Sequence, residues 1–335
     1  MIGVQGCAPP TVFSATQISL RLRQMPELVE PVESPQAIAE MAEPTEQCNR
    51  HSQRAVLPIS VIVPVRNEER NLPRCLESLR GMGEVYVIDS QSSDATQEIA
   101  RSFDATLVQF QYRGGWPKKR QWALDTLPLA FDWILLLDAD EVVTPELAHE
   151  IEQAIHDRKL DGYYLKLQMQ FLGRELRHCG ASFYKLSLFR RGKGHFERRI
   201  EQQDTSMCDM EVHEHVVVDG PTARLRHTLT HRNVESLSHY IRKHDQYSNW
   251  ESRVLTEGVS GPAEIHPDLF GTQAQRRRWL KKVFSRVPGS PIALFLYRYL
   301  LCLGFLDGIP CLIYCGLQAV QMFHTKAKIY EMKVA

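Results

Sequence analysis

The stretch Trp133-Ile-Leu-Leu-Leu-Asp138-Ala-Asp140-Glu141 runs an unbroken apolar segment straight into three carboxylates in four positions. A strand buried on both faces reads this way, because crossover helices cover a parallel sheet from either side. Ligands of open α/β sheets lie beyond the carboxyl ends of such strands, so the acids mark where chemistry is expected. In an extended chain Asp138 and Asp140 point to one face. Two carboxylates placed together could hold a hard divalent cation, and the cation could neutralise a diphosphate. The same acids also read as a solvated turn leading to a helix at Thr144-Pro145, a cap followed by proline at the first helical position.

Working outward, the segments on the amino-terminal side repeat the strand-loop-helix pattern. Ile59-Ser-Val-Ile-Val63 is a β-branched run, followed by the loop Pro64-Val-Arg-Asn-Glu-Glu69 and a helical pattern through Leu72, Cys75, Leu76 and Leu79. Val85 to Asp89 is a second strand, Ser90 to Asp94 a loop, and Ala95 to Phe103 a helix with Asp94 and Gln97 spaced as a capping pair. Thr106 to Phe110 is a third strand, and Gly114-Gly-Trp-Pro-Lys-Lys-Arg120 opens another helix. The alternation predicts a mostly parallel sheet with right-handed crossovers, a Rossmann-like half. No glycine-rich dinucleotide fingerprint or P-loop is present, and the strand ends offer carboxylates instead.

Beyond a helix over about 145 to 157 the texture changes. Gly162 to Phe171 alternates in polarity, Lys185 to Arg191 and Val212 to Val218 are short strand candidates, and Val234 to about Glu257 turns helical with Leu237, Tyr240, Ile241, Tyr247, Trp250 and Val254 on one face. Residues 1 to about 56 hold many prolines and glutamates without a period, which predicts a disordered tail. At 335 residues, 43% hydrophobic and 24% charged, the remainder is globular. Forty basic and forty acidic residues cancel, which removes the global field that would favour nucleic acid. The eight cysteines form no set with zinc spacing, although Cys311 and Cys315 share a helix face, and they read as reduced cytosolic thiols.

Taken in order, Ile59 to Glu69, Val87-Ile-Asp-Ser-Gln-Ser-Ser-Asp-Ala-Thr96 and Leu137-Asp-Ala-Asp-Glu141 resemble the family 2 glycosyltransferases of GT-A fold. Gly115 to Ala123 and Glu211-Val-His-Glu-His215 look closest to the WaaE-type lipopolysaccharide core glucosyltransferases. The resemblance covers roughly residues 57 to 330. It implies an inverting transferase that uses a nucleotide-diphosphate sugar and Mg²⁺ or Mn²⁺. It assigns Pro64, Arg66, Glu68 and Asp89 to the nucleoside, Asp138 to the ribose or a second contact with the metal, and Asp140 to the metal. Arg120 lies where the family keeps a basic residue near the diphosphate. Glu214 becomes the general base on the acceptor hydroxyl, with Glu211 as runner-up, and His213 and His215 flank it. Without the resemblance, Glu211 to His215 reads as an exposed edge strand, and Lys119, Arg120, Lys185, Arg190 and Arg191 as a solvated face.

Arg276-Arg-Arg-Trp-Leu-Lys-Lys282 and Arg286 precede Ile292 to Phe323, which is apolar apart from Arg298, Asp307 and Gln318. Basic residues beside an apolar stretch read as a surface held to anionic lipid. The break at Asp307-Gly-Ile-Pro310 favours two interfacial helices over one span, with a buried helical hairpin as the alternative. The expected organisation is therefore a tail (1–56), a catalytic domain (57–233, with a nucleotide-sugar half over about 57–145 and an acceptor half over about 146–233) and a helical, membrane-associating region (234–335). The expected activity moves a hexose to a lipid-linked saccharide or envelope glycan at the inner face of the cytoplasmic membrane. The alternatives are transfer to a polyprenyl phosphate, or a catalytically silent nucleotide-binding scaffold.

Overall fold

The computed structural model describes residues 56–199, 209, 211, 214–232, 236–257, 265–284 and 286–334. The tail expected over 1–56 lies outside these apart from Val56, as does His213. The first half alternates as the sequence predicts: β1 (Leu57–Val65), α1 (Leu72–Ser78), β2 (Met82–Asp89), α2 (Thr96–Ser102), β3 (Thr106–Gln109), α3 (Lys119–Thr126) and β4 (Trp133–Leu136). Then come β5 (Glu141–Val143), α4 (Pro145–Ala154), β6 (Gly162–Phe171), β7 (Arg174–Glu175), β8 (Phe183–Arg190), β9 (Gly194–Phe196), β10 (Val216–Val218) and β11 (Thr222–Arg232). The helices α5 (Leu237–Glu257), α6 (Gln273–Phe284), α7 (Ser290–Leu296) and α8 (Gly308–Val334) complete the chain.

One mixed sheet takes the order β3-β2-β1-β4-β8-β6-β11-β5, with β7 paired to β6. Its first four strands are parallel, and β8 joins β4 and β6 antiparallel. The centre of β1 shows why the parallel part forms. Ile59, Val61, Val63 and Val65 pack on one face with Leu72, Leu76 and Leu147, whereas Ile62 packs on the other with Ile88, Ile134 and Phe189. Alternate residues of one strand thus feed two cores, and a continuous β-branched run satisfies both. Trp133, Ile134, Leu135 and Leu136 of β4 are likewise buried.

Local chemistry departs from the sequence reading at one helix start and agrees with it at another. The Asp94 carboxylate accepts the amide of Thr96 and that of Glu69, while Gln97 reaches back to the Ser92 carbonyl, so the capping pair is replaced by a tie between two loops. Thr144 does cap α4, its hydroxyl accepting the Leu147 amide at 3.2 Å with Pro145 leading the helix.

A third apolar cluster joins the sheet to the carboxyl-terminal helices through Phe171, Leu176, Cys179, Ala181, Tyr240, Cys311, Tyr314 and Cys315. Gln318 donates to the Tyr240 hydroxyl, and His244 pairs with Gln321 at 2.6 Å, so α8 is fixed along α5 by polar as well as apolar contacts. On the α5 face drawn from the sequence, Tyr240, Trp250 and Val254 are buried but Leu237 and Ile241 are exposed. The stretch Gly304–Val334 is long and apolar enough to cross a membrane by length and composition. Its Asp307 is buried, accepting the backbone amide and ring Nδ1 of His178, both at 2.8 Å.

Truncation of a side chain fully buried in the sheet is expected to cost about 2–5 kcal/mol. Ile62→Ala and Leu135→Ala, both at 0% exposure, should each show this loss in urea unfolding, whereas Ile292→Ala at 67% should stay near the wild type.

Candidate active site

Strand β4 stops at Leu136, and its direction is held one residue further by the Leu137 amide donating to the Ile62 carbonyl at 3.1 Å. Asp138 to Asp140 then form a turn, closed by the Glu141 amide on the Asp138 carbonyl at 2.9 Å. The alternation of an extended chain therefore does not place the two aspartates. The turn does, and both reach the wall of one cleft. Glu141 does not cap α4 either: its carboxylate accepts the Asp138 amide at 2.9 Å and pairs with Lys185 at 3.0 Å, bracing the turn from within.

Each carboxylate of the turn meets a cation delivered by a different element. Asp138 pairs with Arg120 from α3 and, at 2.8 Å, with Lys185 from β8. Asp140 pairs with His231 Nε2 at 2.9 Å. The register of β11 against β5, which sets His231 opposite Glu141, explains that contact. Burial works to raise both aspartates, but Arg120 and Lys185 hold Asp138 far below the usual carboxylate range, and His231 brings Asp140 down to about 2. Both are ionised at neutral pH. Burial and Lys185 oppose each other at Glu141, and burial prevails, raising it.

The cleft measures about 190 Å³ and is lined by Pro64, Glu68, Arg120, Asp138, Asp140 and His231 from the sheet side. Its opposite wall comes from α5 and α8, through Tyr240, Lys243, His244, Tyr247, Tyr314 and Gln318. Of the residues assigned to the nucleoside, Pro64 and Glu68 line this space and the other two do not. Arg66 is exposed. Asp89 is fully buried at the end of β2, where its carboxylate accepts the Ser92 amide and hydroxyl and the Gln109 amide, ordering the loop that follows.

Three consecutive cations at the start of α3 organise the second acidic segment. Lys118, fully buried, pairs with Glu214 Oε2 at 3.3 Å and lies 4.0 Å from the centre of the Trp250 ring. Lys119, also fully buried, donates to the Val65 carbonyl at 2.9 Å and pairs with Asp209 at 3.1 Å. Arg120 reaches Asp138 and also donates to the Glu211 carbonyl at 3.3 Å. The Glu211 carboxylate accepts the amides of Gln121 at 2.9 Å and Arg120 at 3.3 Å, so it closes the amino end of α3. A solvated face is thus the wrong reading for Lys119, Arg120 and Lys185, and Arg190, which stacks on Trp133 at 4.6 Å, is engaged too. Arg191 keeps a half-exposed side chain.

Glu211 and Glu214 are both buried rather than exposed on an edge, and among the described residues the paired strand here is Val216–Val218. The two acids differ in what remains free on them. Both oxygens of Glu211 take backbone donors, whereas Oε1 of Glu214 is buried and has no hydrogen-bond partner among the described residues. Burial, opposed by Lys118 and reinforced by Glu211, pushes Glu214 up to about 7. Glu214 does not line the 190 Å³ cleft; its partner Lys118 stands two residues before Arg120, which does. His215 ties its backbone to Glu197, which grips Arg278 of α6.

Sequence reasoning missed Lys118, His231 and the whole α5 wall. Lys118 lies in the 115–123 stretch beside Lys119 and Arg120, where its signal could be found; His231 and Lys243 carry no local signal, because register and helix packing alone bring them to the acids.

Residues 60–217 match the family profile described as Glycosyl transferase family 2. Among similar proteins, a lipopolysaccharide core biosynthesis glycosyltransferase, LpsC, of Rhizobium meliloti is 27% identical over 297 residues, covering 82% of this chain and 93% of that protein. An uncharacterized glycosyltransferase of Rickettsia typhi is 25% identical over 59% of this chain and 68% of its own. Among solved structures, S. aureus TarS 1-349 aligns with a TM-score of 0.40 at 15% identity, over 82% of this chain and 91% of that one. The strand ends that bear acids all fall at or within the matched region, on a mixed sheet of the GT-A-like kind followed by apolar helix. Residues 60–217 are a glycosyltransferase family 2 domain, and the chain that carries it is a glycosyltransferase.

Proposed function

We propose that this enzyme moves a hexose, with inversion, from a nucleoside-diphosphate sugar to a lipid-linked saccharide or related envelope glycan at the cytoplasmic face of a membrane. The observation that carries the reading is the separation of roles among the acids. Asp138 and Asp140 are held ionised in the cleft wall, while Glu214 is pushed up to about 7 with one oxygen unsatisfied. Titratable groups whose environments drive them apart mark distinct duties. The Rhizobium relative's name, lipopolysaccharide core biosynthesis, supports a lipid-borne saccharide as acceptor.

In this reading the diphosphate of the donor lies against Asp138, Asp140 and Arg120, with the nucleoside toward Pro64 and Glu68. The donor set fits a hard divalent ion, since ionised carboxylate oxygens are what Mg²⁺ and Mn²⁺ take. Asp140 and Asp138 would hold it, and it would supply charge neutralisation for the leaving diphosphate. Arg120, Lys185 and His231 balance the two aspartates in the present arrangement, so part of their charge is shared with or replaced by the ion. Asp89 orders the loop after β2, which borders the nucleoside, and exposed Arg66 would reach the nucleoside from the loop after β1. Glu214 Oε1 takes the proton of the acceptor hydroxyl as the new bond forms at the anomeric carbon, opposite the departing diphosphate. Residues 57–233 carry this chemistry, and 234–335 close the cleft and meet the membrane.

The membrane surface is proposed from α7, the turns after it and the outer side of α8. Ile292, Leu296, Leu301, Leu306, Ile309 and Phe323 are all exposed there. Part of the neighbouring basic cluster is used inside the protein: Arg278 is buried on Glu197, Arg277 packs over Phe183 and Lys281 pairs with Glu251. Arg276 and Arg286 remain exposed on that side of the chain.

Asp140→Ala should lower transfer by about 10²–10³-fold, the usual effect of removing one electrostatic stabiliser, in assays with Mg²⁺ or Mn²⁺ and a panel of UDP- and GDP-sugars; unchanged turnover would remove Asp140 from the metal site. Glu214→Gln should cost about 10²–10⁴-fold in kcat while the donor still binds in calorimetry. Only the ionised carboxylate accepts a proton, so wild-type kcat/KM should rise with pH through an inflection near 7 and then level off. Activity retained by Glu214→Gln and lost in Glu211→Gln would move the base to Glu211. In vesicle sedimentation, wild-type protein should pellet with anionic vesicles, and Leu301→Asp with Ile309→Asp should stay in the supernatant with an unchanged circular dichroism spectrum.

A further inference from the structure

Away from the cleft, the sulfur atoms of Cys179, Cys311 and Cys315 converge, all lying within 4.8 Å of one another. The three side chains come from two separate places, Cys179 from the connection between β7 and β8 and the other pair from one face of α8. All three are fully buried. We propose that they bind one thiophilic metal ion, of the zinc(II) or copper(I) class, fixing α8 to the catalytic sheet.

The spacing suits such an ion. A metal about 2.3 Å from each of three thiolates requires sulfur–sulfur separations of about 3.8–4.0 Å. Cys311 and Cys315 are already 3.8 Å apart. Buried cysteine also packs as a small apolar group, but three features go beyond packing. Cys179 holds a left-handed φ of +55°, a conformation a side-chain-bearing residue adopts at a cost, and its amide is pinned to the Cys302 carbonyl at 2.9 Å. That geometry turns its sulfur toward α8. At position 304 a Cβ would come within 3.1 Å of the Cys311 sulfur, 3.0 Å of the Cys179 Cβ and 2.8 Å of the Arg298 carbonyl, so glycine there keeps the space around the sulfurs open. The third feature is charge. Three thiolates around a divalent ion leave one net negative charge, and the Arg298 guanidinium interacts electrostatically with both Cys179 and Cys315. Its Nη1 is buried with no hydrogen-bond partner among the described residues.

The consequence reaches the active site through α8. Tyr314 and Gln318, which line the cleft, flank Cys315 on the same helix. Metal binding at the three cysteines would therefore hold one wall of the cleft in place without touching substrate.

The test uses the reduced full-length chain and a version with Cys7, Cys48 and Cys208 changed to serine, titrated with Co²⁺ and then Zn²⁺. A near-ultraviolet sulfur-to-cobalt band should saturate at one equivalent in both, be displaced by Zn²⁺, survive Cys302→Ser and be lost in Cys179→Ser or Cys315→Ser. X-ray absorption on the zinc-loaded wild type, which needs no substitution to fold, should show three sulfur neighbours at about 2.3 Å. A folded, reduced chain with no band at one equivalent overturns the proposal, as does a zinc shell of oxygen and nitrogen only. A Cys179–Cys315 disulfide in protein that holds no metal overturns it too.

Discussion

Three consecutive cations at the start of α3 hold the catalytic half together. Lys118, Lys119 and Arg120 each take a different acid, Glu214, Asp209 and Asp138, and Lys119 also anchors the end of β1 at the Val65 carbonyl. Burying a lysine is costly unless it is paired, and removing one partner of a buried pair typically costs about 3–5 kcal/mol. The loss is large because the orphaned charge stays in a medium that cannot solvate it. The cost constrains the chain: with Lys118 and Lys119 fixed inside, the segment carrying residues 209, 211 and 214 must close over them. A loop far along the sequence is thereby brought to the ends of β1 and β4.

The clasp also divides labour among carboxylates that look alike in the sequence. Glu211 is consumed by the amides that begin α3, Asp209 by Lys119 and Ser90, and Asp138 by two cations. Glu214 alone of these keeps a buried oxygen without a partner among the described residues. Satisfied carboxylates are stabilised in the charged form, and the less satisfied one rises toward neutrality under the desolvation it cannot offset. Electrostatic environment, rather than residue type, distinguishes the two glutamates that the sequence left as candidate and runner-up.

The parallel half of the fold was legible because its signal is local. Each strand is a largely apolar run, those of β2 and β4 lead into acids at Asp89 and Asp138, a helix follows each strand, and Thr144-Pro145 marks α4 without ambiguity. The turn of Asp138 to Asp140 was legible as a position but not as a shape, since an acid pair two apart can share a face either in a strand or across a turn. What the sequence could not show was the partner of each acid. His231 meets Asp140 because β11 pairs with β5 across 90 residues of chain, and Tyr240, Lys243 and Tyr247 reach the cleft from α5, which is fixed along α8 and sets Tyr240 against Phe171 of β6. Composition likewise hid the fate of the basic residues, as a lysine in a motif reads the same whether it ends in solvent or, like Lys118, against Trp250. The cysteines repeat the lesson, their spacing along the chain giving no hint that Cys179 joins Cys311 and Cys315.

Burial, opposed by the Lys118 pair and reinforced by Glu211, brings Glu214 to about 7, close to half ionised at neutral pH. Its carboxyl can be followed directly by NMR of side-chain carbon-labelled glutamate across a pH titration, with Glu214→Gln identifying the signal. The midpoint should lie near 7 and rise further in Lys118→Met, where the cation that favours the charged form is gone. A midpoint in the ordinary carboxylate range, or one that does not move when Lys118 is replaced, would contradict this reading of Glu214.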